Sequence, residues 1–164
     1  MPSLNPTGQD QFTLSADLIL VGEQAASKEE VLSKLVERLR ENGYVKDSFL
    51  PALLNREESY PTGLQTKIVG VAIPHTDIGH VLKPTLAIAT LANPVMFRAM
   101  DNPRQEIPVE LIIVMAIKDS SMQLEALQKI MTVLQDENIL TKICQSQQPK
   151  DILQALSAHF AITG

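Results

Sequence analysis

The side chains best equipped for covalent or proton-transfer chemistry are three histidines, His75, His80 and His159, and one cysteine, Cys144. His75 follows a β-branched apolar run at once, in Gly70-Val71-Ala72-Ile73-Pro74-His75-Thr76-Asp77. Proline has no amide hydrogen to give to a ladder, so strand pairing should stop or loosen at Pro74. Such a strand delivers His75 to a sheet edge, where open α/β sheets place ligands outside the carboxyl ends of strands. Position alone leaves a structural and a reactive reading of His75 open. His80 falls in a loop after Asp77-Ile78-Gly79 and is open in the same way. His159 reads as structural, in the last turn of a final helix where partial positive charge is favourable.

Most histidine chemistries lack their other parts here. His75 and His80 do not have the i, i+4 helical spacing of a zinc-binding H-E-x-x-H, and no third ligand motif accompanies them, so no metal is expected. There is no G-x-S-x-G elbow for a hydrolase and no G-x-x-x-x-G-K-[ST] for a nucleotide kinase, the seven glycines being scattered. What remains is a histidine acting as nucleophile or general base without a bound cofactor. A neutral imidazole is a competent nucleophile near neutral pH. Its phosphoramidate stays reactive, which suits a relay. The phosphoryl oxygens would need donors: backbone amides, a guanidinium, or an amide or hydroxyl side chain. No deep pocket is required when donor and acceptor are other proteins. Cys144, on a helical stripe with no basic neighbour, reads as a buried structural thiol.

The elements that must hold these residues follow from periodicity and caps. Residues 1–15 read as a loose arm and 16–164 as one domain. Leu18-Ile19-Leu20-Val21 reads as a short strand. Ser27-Lys28-Glu29-Glu30 has the form of a capping box, Val31, Leu32, Leu35, Val36 and Leu39 make one helical face, and Gly43 ends it. A second helix starts near Asp47 or Ser48, tolerates Pro51 in its first turn, turns Phe49, Leu50, Leu53 and Leu54 inward, and ends over Asn55-Arg56-Glu57-Glu58. Runs from Ile68 to Ile73, Leu86 to Leu91 and Val109 to Ile117 suit strands covered on both faces. A helix from Asp119 should bury Leu124, Leu127, Ile130, Met131 and Leu134. Two shorter helices follow, around Glu137–Gln145 and after Pro149. Helices interleaved with buried strands indicate one α/β domain with helices on both sheet faces; strand order does not follow from the pattern.

The bulk numbers limit the partners. A 164-residue chain with 45% apolar residues can bury a full core without disulfide or metal. A net charge of -5 with no basic cluster argues against nucleic acid or an anionic membrane. Residues 1–15 lack the pattern of a signal peptide, and no apolar run is long enough to span a bilayer, so a cytoplasmic location without membrane insertion is expected.

Several separated motifs, spread over residues 16–160, resemble one family. Ala72-Ile73-Pro74-His75, the Ser-Lys-Glu-Glu helix start, Gly43-Tyr44-Val45 and Leu54-Asn55-Arg56-Glu57-Glu58 are similar in order and spacing to enzyme IIA components of the phosphoenolpyruvate-dependent sugar phosphotransferase system, of the fructose/mannitol type. The resemblance implies an α/β fold, a three-layer α/β/α sandwich with a mixed β-sheet. It implies that His75 accepts a phosphoryl group from the phosphocarrier HPr and passes it to a cysteine of a cognate enzyme IIB, which works with a membrane enzyme IIC. Arg56 is implied to contact phosphoryl oxygens or partners. The type usually carries a second histidine where this chain has Gln123, which can donate a hydrogen bond but cannot carry charge; Gln123 equally completes an S-x-x-Q capping box from Ser120. Pro61-Thr62-Gly63, Gln123 and His80 resemble the galactitol-specific branch. Thr76 and Asp77 either bond the imidazole or phosphoryl group or are ordinary turn residues. Glu57 and Glu58 are read as solvating a helix end, and Met96, Phe97 and Met100 as core rather than as an adaptable partner surface. A regulatory phosphoacceptor acting by binding a partner is the alternative output.

Overall fold

The computed structural model describes residues 12–162. In chain order the elements are β1 (Thr13–Leu14), β2 (Ile19–Glu23), α1 (Lys28–Glu41), α2 (Phe49–Ser59), β3 (Gly63–Gln65), β4 (Gly70–Ala72), β5 (Thr85–Arg98), β6 (Glu106–Ala116), α3 (Ser120–Gln135), α4 (Glu137–Gln145), α5 (Pro149–Leu156) and β7 (Ala161–Ile162). Single 3₁₀ turns lie at Ala16–Leu18 and Ile78–His80. Of the expected loose arm, residues 1–11 lie outside the described residues. Thr13–Leu14 pairs in parallel with Ala161–Ile162, and the Thr85 hydroxyl donates to the Thr13 carbonyl at 3.0 Å.

Five strands form one sheet in the order β2-β5-β6-β4-β3. The pairs β2–β5 and β4–β6 are parallel, while β5–β6 and β3–β4 are antiparallel. The apolar runs are continuous because each strand feeds two cores by turns. Along β4 and beyond, Val71 and Ile73 pack towards α3, α4 and α5, while Ala72 faces α1 and α2. Leu111, Ile113 and Met115 of β6 take the first side, and Ile112, Val114 and Ala116 the second. A period of two inside an unbroken apolar run is what burial on both faces requires. The result is a three-layer α/β/α sandwich with a mixed sheet, as the resemblance implies.

The caps work largely as read. Ser27 Oγ accepts from Glu30 N at 3.2 Å, while Glu30 Oε1 accepts from Ala26 N rather than from Ser27. At the other end of α1, Gly43 at φ +80° lets Tyr44 N reach Leu39 O at 2.9 Å and Gly43 N reach Arg40 O at 3.1 Å, a Schellman closure.

Some faces differ from expectation. Leu124 is 59% exposed, because α3 turns Met122, Ala126, Ile130, Val133 and Leu134 inward instead. Strand β5 runs on to Arg98, past an irregularity between Thr90 and Val95. On this extension Val95 and Phe97 are buried and Met96 is exposed, so the outer part of the β5–β6 hairpin has only one covered face; Met100 beyond it is exposed too. His159 lies beyond the end of α5, in a turn closed by its own amide to Leu156 O at 3.0 Å. No helix among the described residues is long and apolar enough to cross a membrane.

Strand β4 approaches β6 so closely that a Cβ on Gly70 would overlap the Pro108 carbonyl oxygen and sit 2.9 Å from Ile107 Cγ2. Gly70→Ala is therefore expected to lower stability by roughly 1–3 kcal/mol, read as a lower urea midpoint at unchanged slope. A midpoint equal to wild type would contradict this packing.

Candidate functional site

Several element ends converge on one edge of the sheet. β4 and β6 are parallel, so both carboxyl ends point to that edge, and α3 begins there just after β6. β3, antiparallel to β4, begins there just after α2 ends. His75, Arg56, Thr62 and Gln123 are delivered by four of these ends.

Pairing loosens at Pro74 without stopping. The Pro74 carbonyl still accepts from Met115 N at 3.0 Å, and His75 forms an isolated parallel bridge to Met115. The backbone at His75 is thus held although β4 ends at Ala72. The imidazole is half-buried, with Nδ1 2.9 Å from the Ile73 carbonyl oxygen. A carbonyl can only accept, so Nδ1 carries a hydrogen, and in the neutral ring Nε2 then keeps the lone pair.

Arg56 lies in the last turn of α2. Its guanidinium stacks 4.7 Å from the centre of the Tyr60 ring, and Nη1 is 3.8 Å from Asp77 Oδ1. Asp77 is two residues beyond His75, so this ion pair joins the helix end to the histidine loop. Arg56 Nε is buried without a hydrogen-bond partner. Such a donor costs about 1–3 kcal/mol while it lacks an acceptor.

Thr76 is buried, and its carbonyl oxygen is 3.5 Å from Gln123 Nε2, the outer limit of a hydrogen bond. The capping-box reading of Gln123 fails. The N-cap of α3 is Asp119, whose Oδ1 accepts from Met122 N at 2.8 Å and from Ser121 Oγ at 3.0 Å. These bonds, the Met122 amide first, hold the Asp119 carboxyl below the usual carboxylate range. Gln123 is left to reach across to the His75 loop. His80 is directed elsewhere: Nδ1 is 2.8 Å from Ser48 Oγ, and its carbonyl accepts from Lys46 N at 3.0 Å. It ties the loop to the start of α2, and no hydrogen bond among the described residues joins it to His75.

Sequence reasoning missed Glu57. Rather than solvating a helix end, it is 3% exposed and accepts from Thr62 N at 2.9 Å and from Thr62 Oγ1 at 3.0 Å. Thr62 Oγ1 in turn accepts from Ile73 N at 3.1 Å. The signal was present: Phe49, Leu53 and Glu57 are spaced i, i+4 on the buried stripe of α2. Glu58 is exposed and reaches Lys28 at 3.5 Å. Cys144 is half-buried, and burial, helped by Glu110, pushes its thiol pKa up.

Comparison with known proteins gives one consistent result. The family model "Phosphoenolpyruvate-dependent sugar phosphotransferase system, EIIA 2" matches residues 12–159. The 2-O-alpha-mannosyl-D-glycerate-specific EIIABC component of Escherichia coli is 28% identical over 85% of this chain and 21% of its own length. The galactitol-specific EIIA component of Escherichia coli is 27% identical over 69% of this chain and 75% of its own. Enzyme IIA mannitol from Escherichia coli superimposes with a TM-score of 0.73 at 26% identity, over 88% of this chain and 99% of that one. It has also been solved in complex with phosphorylated enzyme IIB mannitol, where it matches with a TM-score of 0.71 at 25% identity over 87% and 96% of the two chains. The chain spans about a fifth of the length of the first multidomain relatives it matches.

Burial pushes the Glu57 carboxyl up from 4.5 to about 6, against the Thr62 hydrogen bonds and the Lys28 charge, which pull it down. A pKa raised on folding adds stability below pH 4.5 that is lost as pH rises through 6, here about 2 kcal/mol. Urea titrations from pH 4.5 to 7.5 should show wild type losing about that much relative to Glu57→Gln as pH rises. Parallel profiles for the two proteins would contradict the assignment.

Proposed function

Because the chain belongs to the EIIA 2 family of the phosphoenolpyruvate-dependent sugar phosphotransferase system, we propose that it carries a phosphoryl group on Nε2 of His75 between two partner proteins. The observation that supports this most directly is the Nδ1–H bond to the Ile73 carbonyl at 2.9 Å. It leaves Nε2 as the free lone pair and fixes the plane of the ring. In the forward step Nε2 attacks phosphorus, the bond from phosphorus to the donor nitrogen breaks, and the donor imidazole recovers its electron pair. His75 then holds the phosphoryl group with its proton still on Nδ1, and the Ile73 carbonyl dipole offsets the positive charge that develops on the ring.

Arg56 is assigned to the phosphoryl oxygens. Its long, exposed ion pair with Asp77 leaves the outer guanidinium nitrogens available to an incoming dianion, which guanidinium groups bind in bidentate fashion. The Gln123 amide and the Thr76 segment are supporting donors, and His80 orders the loop from behind. Three exposed apolar side chains flank this machinery: Tyr60 beside Arg56, Ile78 beside Asp77, and Leu124 beside Gln123. Such a rim suits a protein partner rather than a small substrate. On this reading HPr is the donor, a cysteine thiolate of a cognate enzyme IIB the acceptor, a membrane enzyme IIC completes the transporter, and the reaction takes place in the cytoplasm.

Overall identity to the mannosylglycerate, fructose, mannitol and galactitol relatives is 25–28% and does not select a sugar. Galactitol is proposed on the local motifs Pro61-Thr62-Gly63, Gln123 and His80.

Incubation with phosphoenolpyruvate and the general phosphotransferase proteins should give an acid-labile, alkali-stable label on wild type and none on His75→Ala. Equal labelling of both would overturn the assignment. Labelled protein should discharge to a galactitol-type IIB; retention of the label with every IIB tested would favour the regulatory output. Arg56→Ala should slow phosphoryl acceptance about 10²-fold, as loss of one preorganised oxyanion donor does. An acceptance rate equal to wild type would remove Arg56 from the site.

A further inference from the structure

The two residues assigned to phosphoryl transfer sit on different elements. Arg56 is on the end of α2 and His75 is beyond β4, and the direct link between their neighbourhoods is the exposed 3.8 Å pair of Arg56 with Asp77. An exposed pair of that kind is screened by solvent and contributes little, so it does not fix an imidazole. A second link is buried. The Glu57 carboxylate takes both the amide and the hydroxyl hydrogen of Thr62. The Thr62 hydroxyl oxygen takes the Ile73 amide hydrogen at 3.1 Å. The Ile73 carbonyl takes the His75 Nδ1 hydrogen at 2.9 Å.

Thr62 stands immediately before β3, whose first pair is Gly63 with Ala72. The Thr62 hydroxyl therefore extends the β3–β4 ladder by one step through a side chain, at the residue where Pro74 is about to interrupt it. Thr62 and Glu57 are both buried, so the link is not open to competition from bulk water.

We propose that Glu57 and Thr62 are positioning residues for the phosphoacceptor: through Ile73 they hold the carbonyl that keeps the His75 proton on Nδ1 and the lone pair on Nε2. The inference rests on the phosphocarrier reading for its purpose, but its geometry can be tested without any phosphoryl transfer. A free imidazole side chain carries its proton mainly on Nε2, so the structure demands the less usual tautomer. The same residues join the helix bearing Arg56 to the strand end bearing His75, so loosening them displaces one functional group from the other.

The test uses the full chain with ¹⁵N-labelled histidine. Long-range ¹H–¹⁵N spectra read the His75 tautomer directly, and phosphoryl acceptance is timed in parallel. Wild type should show Nδ1–H. Thr62→Val keeps the shape, removes the hydroxyl, and should give mixed tautomers with acceptance slowed about tenfold, in line with the sensitivity of transfer rates to small misplacements. Thr62→Ser restores the hydroxyl and should recover both readings, which a merely structural role would not require. Wild type in the Nε2–H form overturns the proposal. So does a folded Thr62→Val with wild-type nitrogen shifts and rate. If Thr62→Val does not fold, Glu57→Gln decides: it keeps the volume, replaces a charged acceptor by a neutral one, and should move the tautomer ratio in the same direction, whereas wild-type shifts there overturn the proposal. A tautomer that responds in a protein that never accepts phosphate would leave the positioning intact and refute the phosphocarrier reading instead.

Discussion

The central strands have to be covered on both faces. β4 and the paired halves of β5 and β6 alternate between two apolar layers with no polar face between them, so helices must pack on either side and polar chemistry is pushed to the strand ends. That constraint accounts for where the site lies. β4 and β6 run parallel and end together, and the helix that must cover the sheet after β6 starts at the same edge. The loop after His75 meets Gln123 through Thr76 and the end of α2 through Asp77 because these element ends surface at the same edge.

Polar groups admitted into such a frame have to be satisfied from within it. Glu57 shows the cost, since its carboxyl is pushed up to about 6 by burial even with two hydrogen bonds from Thr62. A glutamine would bury more cheaply but would hold the Thr62 hydroxyl less firmly, because hydrogen bonds to charged acceptors are roughly twice as strong as neutral ones. The expensive residue is therefore the stiffer one, and it sits beside Arg56 in sequence. Adjacent positions on a helix point about 100° apart. One turn of α2 thus offers a guanidinium to the surface and a carboxylate to the interior.

How far the chain could be read depended on whether the information was local. The double-faced strands, the Ser27 cap, the Gly43 stop and α4 are local patterns, and they match. The link from His75 to Arg56 could not be read, because it passes through Asp77, Thr62 and Ile73, whose contacts are set by sheet register. On α3 two apolar stripes compete, and the one through Met122 and Ala126 is buried while Leu124 is exposed. Gln123 fits a capping box as well as it fits a site residue. Only the position of Asp119, one residue earlier than Ser120, decides between them. Glu57 is legible in principle from its i, i+4 relation to Leu53, but acidic residues are so often exposed that the pattern alone points it to solvent.

On the proposed phosphocarrier reading, with Gln123 standing where the resembled type usually has a histidine, the electrostatic burden of the site falls on Arg56. An amide contributes a dipole and no charge, and Gln123 lies at the limit of contact with the Thr76 carbonyl. On that reading the charge offered to a phosphoryl dianion is the Arg56 guanidinium, which is already shared with Asp77. The arrangement still favours the phosphoryl group. The Asp77 pair is long and exposed, so exchanging it for a bidentate phosphoryl contact loses little and gains charge-assisted bonds. The stack on Tyr60 keeps the guanidinium plane in place while its partner changes. On that reading Arg56 pairs with the loop before transfer and with the phosphoryl group during it.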